Sequence, residues 1–392
     1  MSIIPYGKHY IDKEDIDNVV KVLKSNNLTQ GPIIEIFEKK FAKYVGAKYA
    51  VAVSSCTAGL HLCSQVFGLN NKNYLLTSPI TFVSTSNAAF YCGSAPVFAD
   101  ISKNDINISV ECLKNELKKN KKIKIVSPVH FGGNPCDMEI IYKICKKIKG
   151  IKIVEDAAHA LGAKYKDGSF VGSCKYSDAT VFSMHPVKII ASGEGGVVTT
   201  NDYKTYKNLI RLRSHGINKK DDTFLNKKNS KSGNIFNPWY YEMQDLGYHY
   251  RITDIQCSLA LSQLKKINKF LNKRRKIVKL YDSCFKNSKI IEIGQKEKKL
   301  SSHHLYIIRI NFKKYNKTRA ELMNFLKSKN IITQVHYIPV THHPFYSNKK
   351  FNSKNFPQAL NYYDETLSLP IYYSLTEKQQ KFVIKNLINF FK

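Results

Sequence analysis

A lysine between a strand-like segment and a glycine cluster is the residue best placed to do chemistry in this sequence. The apolar residues 179–182 end at Ser183, and Lys188 follows five positions later, ahead of residues 193–196, Gly-Glu-Gly-Gly. A lysine at the mouth of a sheet can bind an aldehyde cofactor, a nearby hydroxyl can hold its phosphate, and glycines let backbone approach it. Only seven of the 62 basic residues are arginines. Most of the lysines are therefore solvated surface charges, and context alone separates Lys188 from them.

An acid 32 residues upstream gives this lysine a chemical partner. Residues 152–156, Lys-Ile-Val-Glu-Asp, read as a buried strand, and small residues and His159 follow. A buried carboxylate is costly without a cation or a hydrogen-bond donor, and a protonated pyridine nitrogen is such a partner. Taken alone, Asp156 could equally be a helix N-cap. Together with Lys188 it predicts pyridoxal 5′-phosphate (PLP), whose ring nitrogen the acid would keep protonated.

Two further segments fit this cofactor. Residues 49–53 read as a strand that passes through Ser55 and Thr57 into an apolar helix, and a helix N-terminus with hydroxyls binds phosphate readily. Phe82 follows another strand-like stretch, where its ring could stack on a cofactor. Each signal is weak alone, since strand-to-helix transitions are common and a phenylalanine is more often plain core.

These segments, in this order, resemble the DegT group of sugar-nucleotide aminotransferases, which are fold-type I PLP enzymes. The resemblance covers nearly the whole chain and extends to residues 28–32, 211–216, 246–251 and 334–339. Within the group, the sequence is most similar to enzymes that aminate a UDP-linked 4-keto-6-deoxy-L-sugar on the route to pseudaminic acid.

The resemblance implies a role for each matching residue. Lys188 would carry the cofactor as a Schiff base and act as the catalytic residue. The other cofactor-binding residues would be Thr57, Ala58, Phe82, Asp156, His159, Ser183 and His249. The substrate-binding residues would be Tyr6, Asn26, Asn27, Leu28, Thr29, Cys56, Ser183, His249, Arg251, Gln334, Val335, His336 and Tyr337. The active site would be shared between the subunits of a homodimer.

Two positions depart from the usual pattern of the group. His249 stands where the group has an asparagine that reaches the neighbouring subunit's phosphate, and a histidine can still donate a hydrogen bond there. Cys56 replaces a glycine or alanine, which affects the expected sugar contact. Arg251 either binds a carboxylate through two hydrogen bonds or is a structural ion-pair partner. Dehydratases of the group have histidine in place of the lysine, so Lys188 argues against their chemistry.

The expected reaction moves the amino group of L-glutamate to the C4 ketone of a UDP-linked 4-keto-6-deoxy-N-acetyl-L-hexosamine. One alternative is an aminotransferase for another nucleotide-linked ketosugar, either a 4-keto-6-deoxy-D-sugar or a 3-keto sugar. A non-catalytic regulator that has kept the fold, or a nucleic-acid-binding protein, is the alternative from a different class.

Length and pattern indicate an α/β protein with two domains. A chain of 392 residues exceeds one ordinary core. Residues from about 12 to 260 alternate strand-like and helical stretches, and residues 1–260 are expected to form a large PLP-binding domain around a mostly parallel sheet with helices on both faces. The resemblance implies seven strands there, with residues 1–32 contributing to the substrate site. Residues 261–392 are expected to form a smaller α/β domain, starting with a helix over residues 262–286. The polar residues 218–238 are expected to form a mobile loop near the site.

Composition argues against several other classes of protein. The formal charge is +32, but the lysines are spread along the chain, which is unlike a nucleic-acid-binding face. Nine cysteines without a C-x-x-C pair, and no signal-peptide or long apolar segment, predict a reduced cytoplasmic protein that does not enter a membrane. The histidine pairs at 303–304 and 342–343 lack the spacing of metal ligands, so no metal site is expected.

Overall fold

The fold centres on one seven-stranded sheet. A computed structural model describes residues 2–219, 224–295 and 298–392. The strands of this sheet are β1 Tyr49–Val53, β2 Tyr74–Thr77, β3 Ala95–Phe98, β4 Ile123–Val126, β5 Lys152–Asp156, β6 Ala179–Ser183 and β7 Gly196–Thr200. Their order is β1-β7-β6-β5-β4-β2-β3. Strand β7 is antiparallel to both of its neighbours, and the remaining pairs are parallel. The predicted mostly parallel seven-stranded sheet is confirmed.

Helices cover both faces of this sheet. They are α1 Lys13–Leu23, α2 Pro32–Val45, α3 Cys56–Val66, α4 Val83–Tyr91, α5 Val110–Lys119, α6 Met138–Lys146, α7 Tyr203–Arg213 and α8 Asp254–Lys265. Successive side chains of a strand point to opposite faces. Accordingly, Ala50 and Ala52 of β1 pack in one core with α2, α5, α6 and α8. Val51 and Val53 pack in another with α3, α4 and α7.

The C-terminal part of the chain contains a second, smaller sheet. Strands β12 Glu292–Ile293, β13 Tyr306–Arg309 and β14 Thr366–Leu369 form it, and both pairs are antiparallel. Its helices are α9 Ile267–Phe285, α10 Arg319–Ser328, α11 Pro344–Ser347, α12 Pro357–Glu365 and α13 Glu377–Asn389. Between the two sheets in sequence, β8 Ile217–Asn218 pairs with β11 Glu242–Met243, and β9 Lys231–Ser232 pairs with β10 Ile235–Phe236. The predicted second α/β unit is confirmed.

Helix α9 and the chain start are two of the connections between the large and small cores. Helix α9 contributes Phe270 and Leu271 to the core of the large sheet and Tyr281 and Phe285 to the core of the small one. The other connection is Ile4, which is fully buried in the small core and pairs with the backbone near residue 331. The first residues of the chain therefore pack with the last third of it.

One expectation from the sequence is wrong, and another lies partly outside the described residues. The helix expected over residues 262–286 is two helices, because the helical path breaks between α8 and α9 at Lys266. The ammonium of Lys266 lies 2.5 Å from Asp12 and 2.8 Å from Asp15 at the start of α1. In the expected loop, the hairpin of β9 and β10 occupies residues 231–236, and residues 220–223 lie outside the described part of the chain. No helix in the described ranges is long and apolar enough to cross a membrane.

Candidate active site

A pocket of about 770 Å³ lies where several strands end on the same edge of the large sheet. The parallel strands β5 and β6 finish there at Asp156 and Ser183, and the antiparallel β7 starts there at Gly196. Lys188 stands in the connection from β6 to β7 and lines the pocket. Burial lowers the pKa of its amine to about 8, although the nearby carboxylate of Asp156 opposes that change. A larger fraction of this amine than of an ordinary lysine is therefore neutral near physiological pH, although most of it stays protonated.

Two donors hold the carboxylate of Asp156 in place beside Lys188. The hydroxyl of Thr85 donates to Oδ2 at 2.5 Å, and the amide of Ala158 donates to Oδ1 at 3.0 Å. Asp156 is only 4% exposed and lines the pocket. Sequence reasoning missed Thr85, which lies in the first turn of α4, 71 positions before Asp156. A buried, oriented carboxylate facing the pocket is suited to bind a cationic ring nitrogen.

The start of helix α3 forms a second side of the pocket. Ser55 caps this helix by accepting the amide of Ala58, and the pocket is lined by Ser55, Cys56 and Thr57. Strand β7 comes very close here: a Cβ added at Gly196 would lie 2.6 Å from backbone atoms of Ser55 and Cys56. The first amides of a helix lack intrahelical partners, so this end suits a phosphate group. The amide of Ala58 is already taken by the cap.

Neutral histidines form a third side of the pocket. The amide of Gly132 donates to His159 Nδ1 at 3.3 Å, which places the ring proton on Nε2, 3.2 Å from the Tyr337 hydroxyl. Burial, with the charge of Lys188, holds the pKa of His159 well below its usual value. The ring of His304 lies 4.3 Å from that of His159 and also lines the pocket. Sequence reasoning considered His304 only as half of a histidine pair and missed this position.

Residues 334–337 reach the pocket from the small sheet. Gln334 bridges to Ser368 of β14, and His336 Nδ1 lies 2.9 Å from the Ser368 hydroxyl. Burial, with the charge of Lys188, lowers the pKa of His336 to about 3, so this ring is neutral. Tyr6 arrives from the chain start, with its ring 5.4 Å from that of His336. The small sheet and the N-terminal segment therefore complete a pocket whose floor belongs to the large sheet.

The structure brings most of the predicted site residues together and leaves some apart. Lining the pocket are Tyr6, Cys56, Thr57, Phe82, Asp156, His159, Ser183, Lys188, Gln334, Val335, His336 and Tyr337. The described residues that line it do not include Ala58, Asn26, Asn27, Leu28, Thr29, His249 or Arg251. Residues 26–29 are exposed, and Thr29 bridges to Thr253 ahead of α8. His249 is also exposed and bridges to Ser214.

The side chains in the pocket fit PLP. They supply an amine of lowered pKa for the aldehyde, a buried carboxylate for the ring nitrogen, and a helix start with hydroxyls for the phosphate. Phe82 leaves 56% of its surface exposed at the pocket, where a flat ring could cover it. The close approach at Gly196 keeps the helix start against the sheet edge that carries Asp156 and Lys188.

Comparison with known proteins gives the same result. The model of the DegT/DnrJ/EryC1/StrS aminotransferase family matches residues 9–388. This chain belongs to that family. Enzymes of the family are PLP-dependent, and solved neighbours of this fold include PLP and pyridoxamine forms. The chain is therefore a PLP-dependent sugar aminotransferase, which confirms the predicted cofactor and reaction class.

Three relatives show where the chain lies within the family. It is 39% identical to the spore coat polysaccharide biosynthesis protein SpsC of Bacillus subtilis, over 97% of this chain and 95% of the relative. It is 38% identical to the UDP-4-amino-4,6-dideoxy-N-acetyl-beta-L-altrosamine transaminase of Campylobacter jejuni, over 99% and 97%. The structure of Helicobacter pylori PseC, an aminotransferase of pseudaminic acid biosynthesis, matches with a TM-score of 0.90 at 30% identity, over 100% and 99%. The predicted family resemblance is confirmed.

Proposed function

We propose that this aminotransferase moves the amino group of L-glutamate to the C4 ketone of UDP-2-acetamido-2,6-dideoxy-β-L-arabino-hex-4-ulose, in pseudaminic acid biosynthesis. The observation that carries the proposal is the full-length match to the C. jejuni transaminase, whose name states the corresponding amino sugar. The match to the PseC structure over the whole chain supports it, because that enzyme belongs to the same pathway.

Lys188 is the proton carrier in this proposal. When PLP is bound, it supplies an electron sink that stabilises negative charge at the substrate carbon. Because burial lowers its pKa to about 8, the amine of Lys188 can take a proton from Cα of glutamate and give it back at physiological pH. In the second half of the cycle, the same amine delivers a proton to C4 of the sugar.

The other pocket residues bind and orient in this proposal. Asp156 would hold the ring nitrogen in its protonated form, with Thr85 and Ala158 fixing the carboxylate. Thr57, Ala58 and Ser183 would hold the phosphate, while Phe82 and His159 would lie beside the ring. The α3 amides of Cys56 and Thr57 are better placed than that of Ala58, which already bonds the Ser55 hydroxyl.

The residues at the other side of the pocket would receive the sugar nucleotide. They are Tyr6, Cys56, Gln334, Val335, His336 and Tyr337. Their polar groups are electrically neutral, since burial raises the pKa of the Cys56 thiol and the Tyr337 hydroxyl and lowers that of His336. Neutral donors and acceptors suit the hydroxyls and the acetamido group of a sugar.

We also propose a homodimer in which each subunit completes the other's pocket. His249, Arg251 and residues 26–29 would serve the pocket of the neighbouring subunit, which accounts for the half-buried position of Arg251 and the exposed positions of the others. Three large apolar side chains nearby in sequence support this, because Leu225, Trp239 and Leu246 are 80%, 73% and 78% exposed. Exposed apolar patches commonly mark protein interfaces.

A cytoplasmic location is part of the proposal, and the nine thiols support it, because oxidising compartments favour disulfides.

An absorption spectrum followed by product identification tests the proposal. The purified protein loaded with PLP should absorb in the visible range, and L-glutamate should convert that band to the pyridoxamine form. Adding the UDP-linked 4-keto-L-sugar should restore the visible band and yield the 4-amino sugar. A protein that responds to glutamate but not to this sugar would have a different acceptor.

The match to SpsC favours one alternative acceptor class. That relative is named for spore coat polysaccharide biosynthesis, and it is at least as similar in sequence to this chain as the C. jejuni enzyme is. Another nucleotide-linked ketosugar is therefore the second candidate. Offering 4-keto-6-deoxy-D-sugars and 3-keto sugars to the pyridoxamine form, and comparing the rates at which the visible band returns, separates the two candidates.

A further inference from the structure

A second carboxylate stands next to Asp156 on strand β5 and points to the opposite face of the sheet. Glu155 is fully buried, with no exposed surface. Four side chains donate to it. Oε1 accepts the hydroxyls of Ser177 at 2.5 Å and Thr180 at 2.9 Å, and Oε2 accepts the hydroxyl of Tyr165 at 2.5 Å and Nε2–H of His130 at 2.7 Å. Every lone-pair direction of a carboxylate is thereby used.

The charge of Glu155 is not neutralised by its histidine partner. His130 Nδ1 accepts the amide of Cys136 at 3.0 Å, so that nitrogen carries no proton and the ring is neutral. An ionised carboxylate has only acceptor positions, and this matches Glu155, whose two oxygens each accept two donors. A single ionised carboxylate is thus buried among four neutral donors.

The partners of Glu155 belong to the segments on which the pocket rests. The amide of His130 donates to the carbonyl of Asp156 at 3.0 Å, and the amide of Asp156 donates to the carbonyl of Pro128 at 2.9 Å. Two residues further along, the amide of Gly132 holds Nδ1 of His159. Fixing His130 therefore fixes the backbone that positions both Asp156 and His159.

The connection from β5 to β6 is anchored at the same point. It leaves β5 through His159, passes Tyr165 and returns through Ser177 to β6, which ends at Ser183 beside the pocket. Tyr165, Ser177 and Thr180 hold it to Glu155 at three positions. Without this common acceptor, the hydroxyls of Ser177 and Thr180 would keep only weaker contacts, such as the 3.3 Å contact with each other, and losing a strong hydrogen bond is costly for a buried polar group.

We propose that Glu155 is a positioning residue of the active site: its ionised carboxylate, gathering four neutral donors on the far side of β5, holds Asp156 and His159 in their working positions. The inference deepens the proposed function and rests on it for its kinetic consequence. Hydrogen bonds to an ionised acceptor are shorter and stronger than neutral ones. The charge of Glu155, and not only its shape, therefore keeps this edge of the sheet in one arrangement.

The variant that isolates the charge is Glu155→Gln, because glutamine keeps the size and lets the Ser177 and Thr180 hydroxyls turn to accept. In the PLP-loaded enzyme, we expect amide hydrogen exchange in peptides covering residues 128–133 and 156–160 to become at least tenfold faster. The rate constant of the glutamate half-reaction should fall at least tenfold, while the glutamate concentration for half-maximal rate changes less than threefold.

Glu38→Gln is the matched control. Glu38 is also a buried glutamate with strong partners, but it pairs with Arg213 and the Ala52 amide, away from the pocket. Its variant should lower thermal stability while leaving exchange in those two regions and the half-reaction rate within threefold of wild type. Tyr165→Phe, which removes one donor and keeps the charge, should give an intermediate change in both measurements, and it carries the test if Glu155→Gln does not fold.

The inference would be overturned if Glu155→Gln left both the local amide hydrogen exchange and the rate constant of the glutamate half-reaction unchanged. If that variant does not fold, the same result in Tyr165→Phe would overturn it. This outcome is distinct from failure of the proposed function, which would appear in wild type as a visible band that glutamate leaves unchanged. Local exchange would still report on Glu155 in that case, because it needs no turnover.

Discussion

The floor of the pocket and the predicted rim residues outside it, His249 and residues 26–29, lie in different surroundings. The floor, with Asp156 and Lys188, is buried and complete within one chain. His249 and residues 26–29 are exposed and do not line that pocket. In the proposed mechanism, one chain thus supplies the groups that move protons and bind the cofactor ring. The residues expected to contact phosphate and sugar from outside would need a second copy, so chemistry and full recognition are separable by experiment.

Replacing Lys188 should have the largest effect, because it removes the proposed proton carrier of the floor. Lys188→Met should lower the transamination rate by at least about 10⁴-fold, as expected when a general base that also binds the cofactor is lost. The steady-state rate with glutamate and the ketosugar measures this. Lys39→Met, at an exposed lysine paired with Glu35, is the control and should stay within twofold. A Lys188→Met enzyme with a tenth of wild-type activity would contradict the proposed role.

Changing Asp156 should rank next. Asp156→Asn keeps the size and removes the charge that would hold the ring nitrogen protonated, so the glutamate half-reaction should slow by roughly two to three orders of magnitude. Thr85→Val, which removes only the donor to Oδ2, should slow it by roughly tenfold or less. Rapid-mixing absorbance measures both variants. If Thr85→Val were the more damaging of the two, Asp156 would not be the charged partner.

Mixing two damaged enzymes tests whether the rim belongs to the neighbouring pocket. His249→Ala should lower activity by roughly ten- to a hundredfold through loss of a phosphate contact. Co-refolding it in equal amounts with Lys188→Met should raise activity to about a quarter of wild type, since half of the dimers then contain one intact pocket. Refolding each variant alone is the control. A mixture no more active than its components would place His249 outside the shared site.

The smallest predicted effect concerns the stability of the protein without cofactor. Burial lowers the pKa of Lys188 from its ordinary 10.5 to about 8, so the folded state carries a buried charge at pH 7. Between pH 8 and 10.5 the unfolded chain binds more protons, and the penalty disappears as the pH rises. Lys188→Met should therefore stabilise the apoprotein by roughly 1–2 kcal/mol at pH 7, allowing for partial exposure, and by much less at pH 10.

Denaturant unfolding of wild type and Lys188→Met at both pH values measures this difference. Lys39→Met, which changes an exposed amine, should show a similar small change at both pH values. An equal gain for Lys188→Met at pH 7 and pH 10 would mean that packing, and not the buried charge, explains the stabilisation.

Sequence reasoning predicted the parts of the molecule that depend on local pattern. The apolar residues 179–182 became β6 Ala179–Ser183, and residues 152–155 became most of β5, because buried parallel strands need continuous apolar runs. The break between α8 and α9 was missed, since residues 263–268 contain neither glycine nor proline. That break coincides with Lys266 facing two acids of α1, some 250 positions away.

In the active site too, residues marked by local pattern could be predicted, and residues defined by distant contacts could not. Lys188 and Asp156 could be chosen because each ends or follows a recognisable strand. Thr85, His304 and the partners of Glu155 could not, because their meaning depends on which distant residue they meet. Tyr165 and Thr180 are ordinary polar residues in sequence, and only the fold places both on one carboxylate. Pairings over long sequence separations are therefore what a single sequence leaves unspecified.

Because α9 belongs to both cores, dividing this protein into two fragments would disrupt each core. The 19-residue helix supplies side chains to both cores, and Ile4 is buried among residues from the far end of the chain. A fragment ending near residue 260 would lack Phe270, so part of the large core would be exposed. The remaining fragment would lack Ile4, so part of the small core would be exposed as well. Neither half should be a sound crystallisation or screening target by itself, whereas both expressed together from two open reading frames could reassemble.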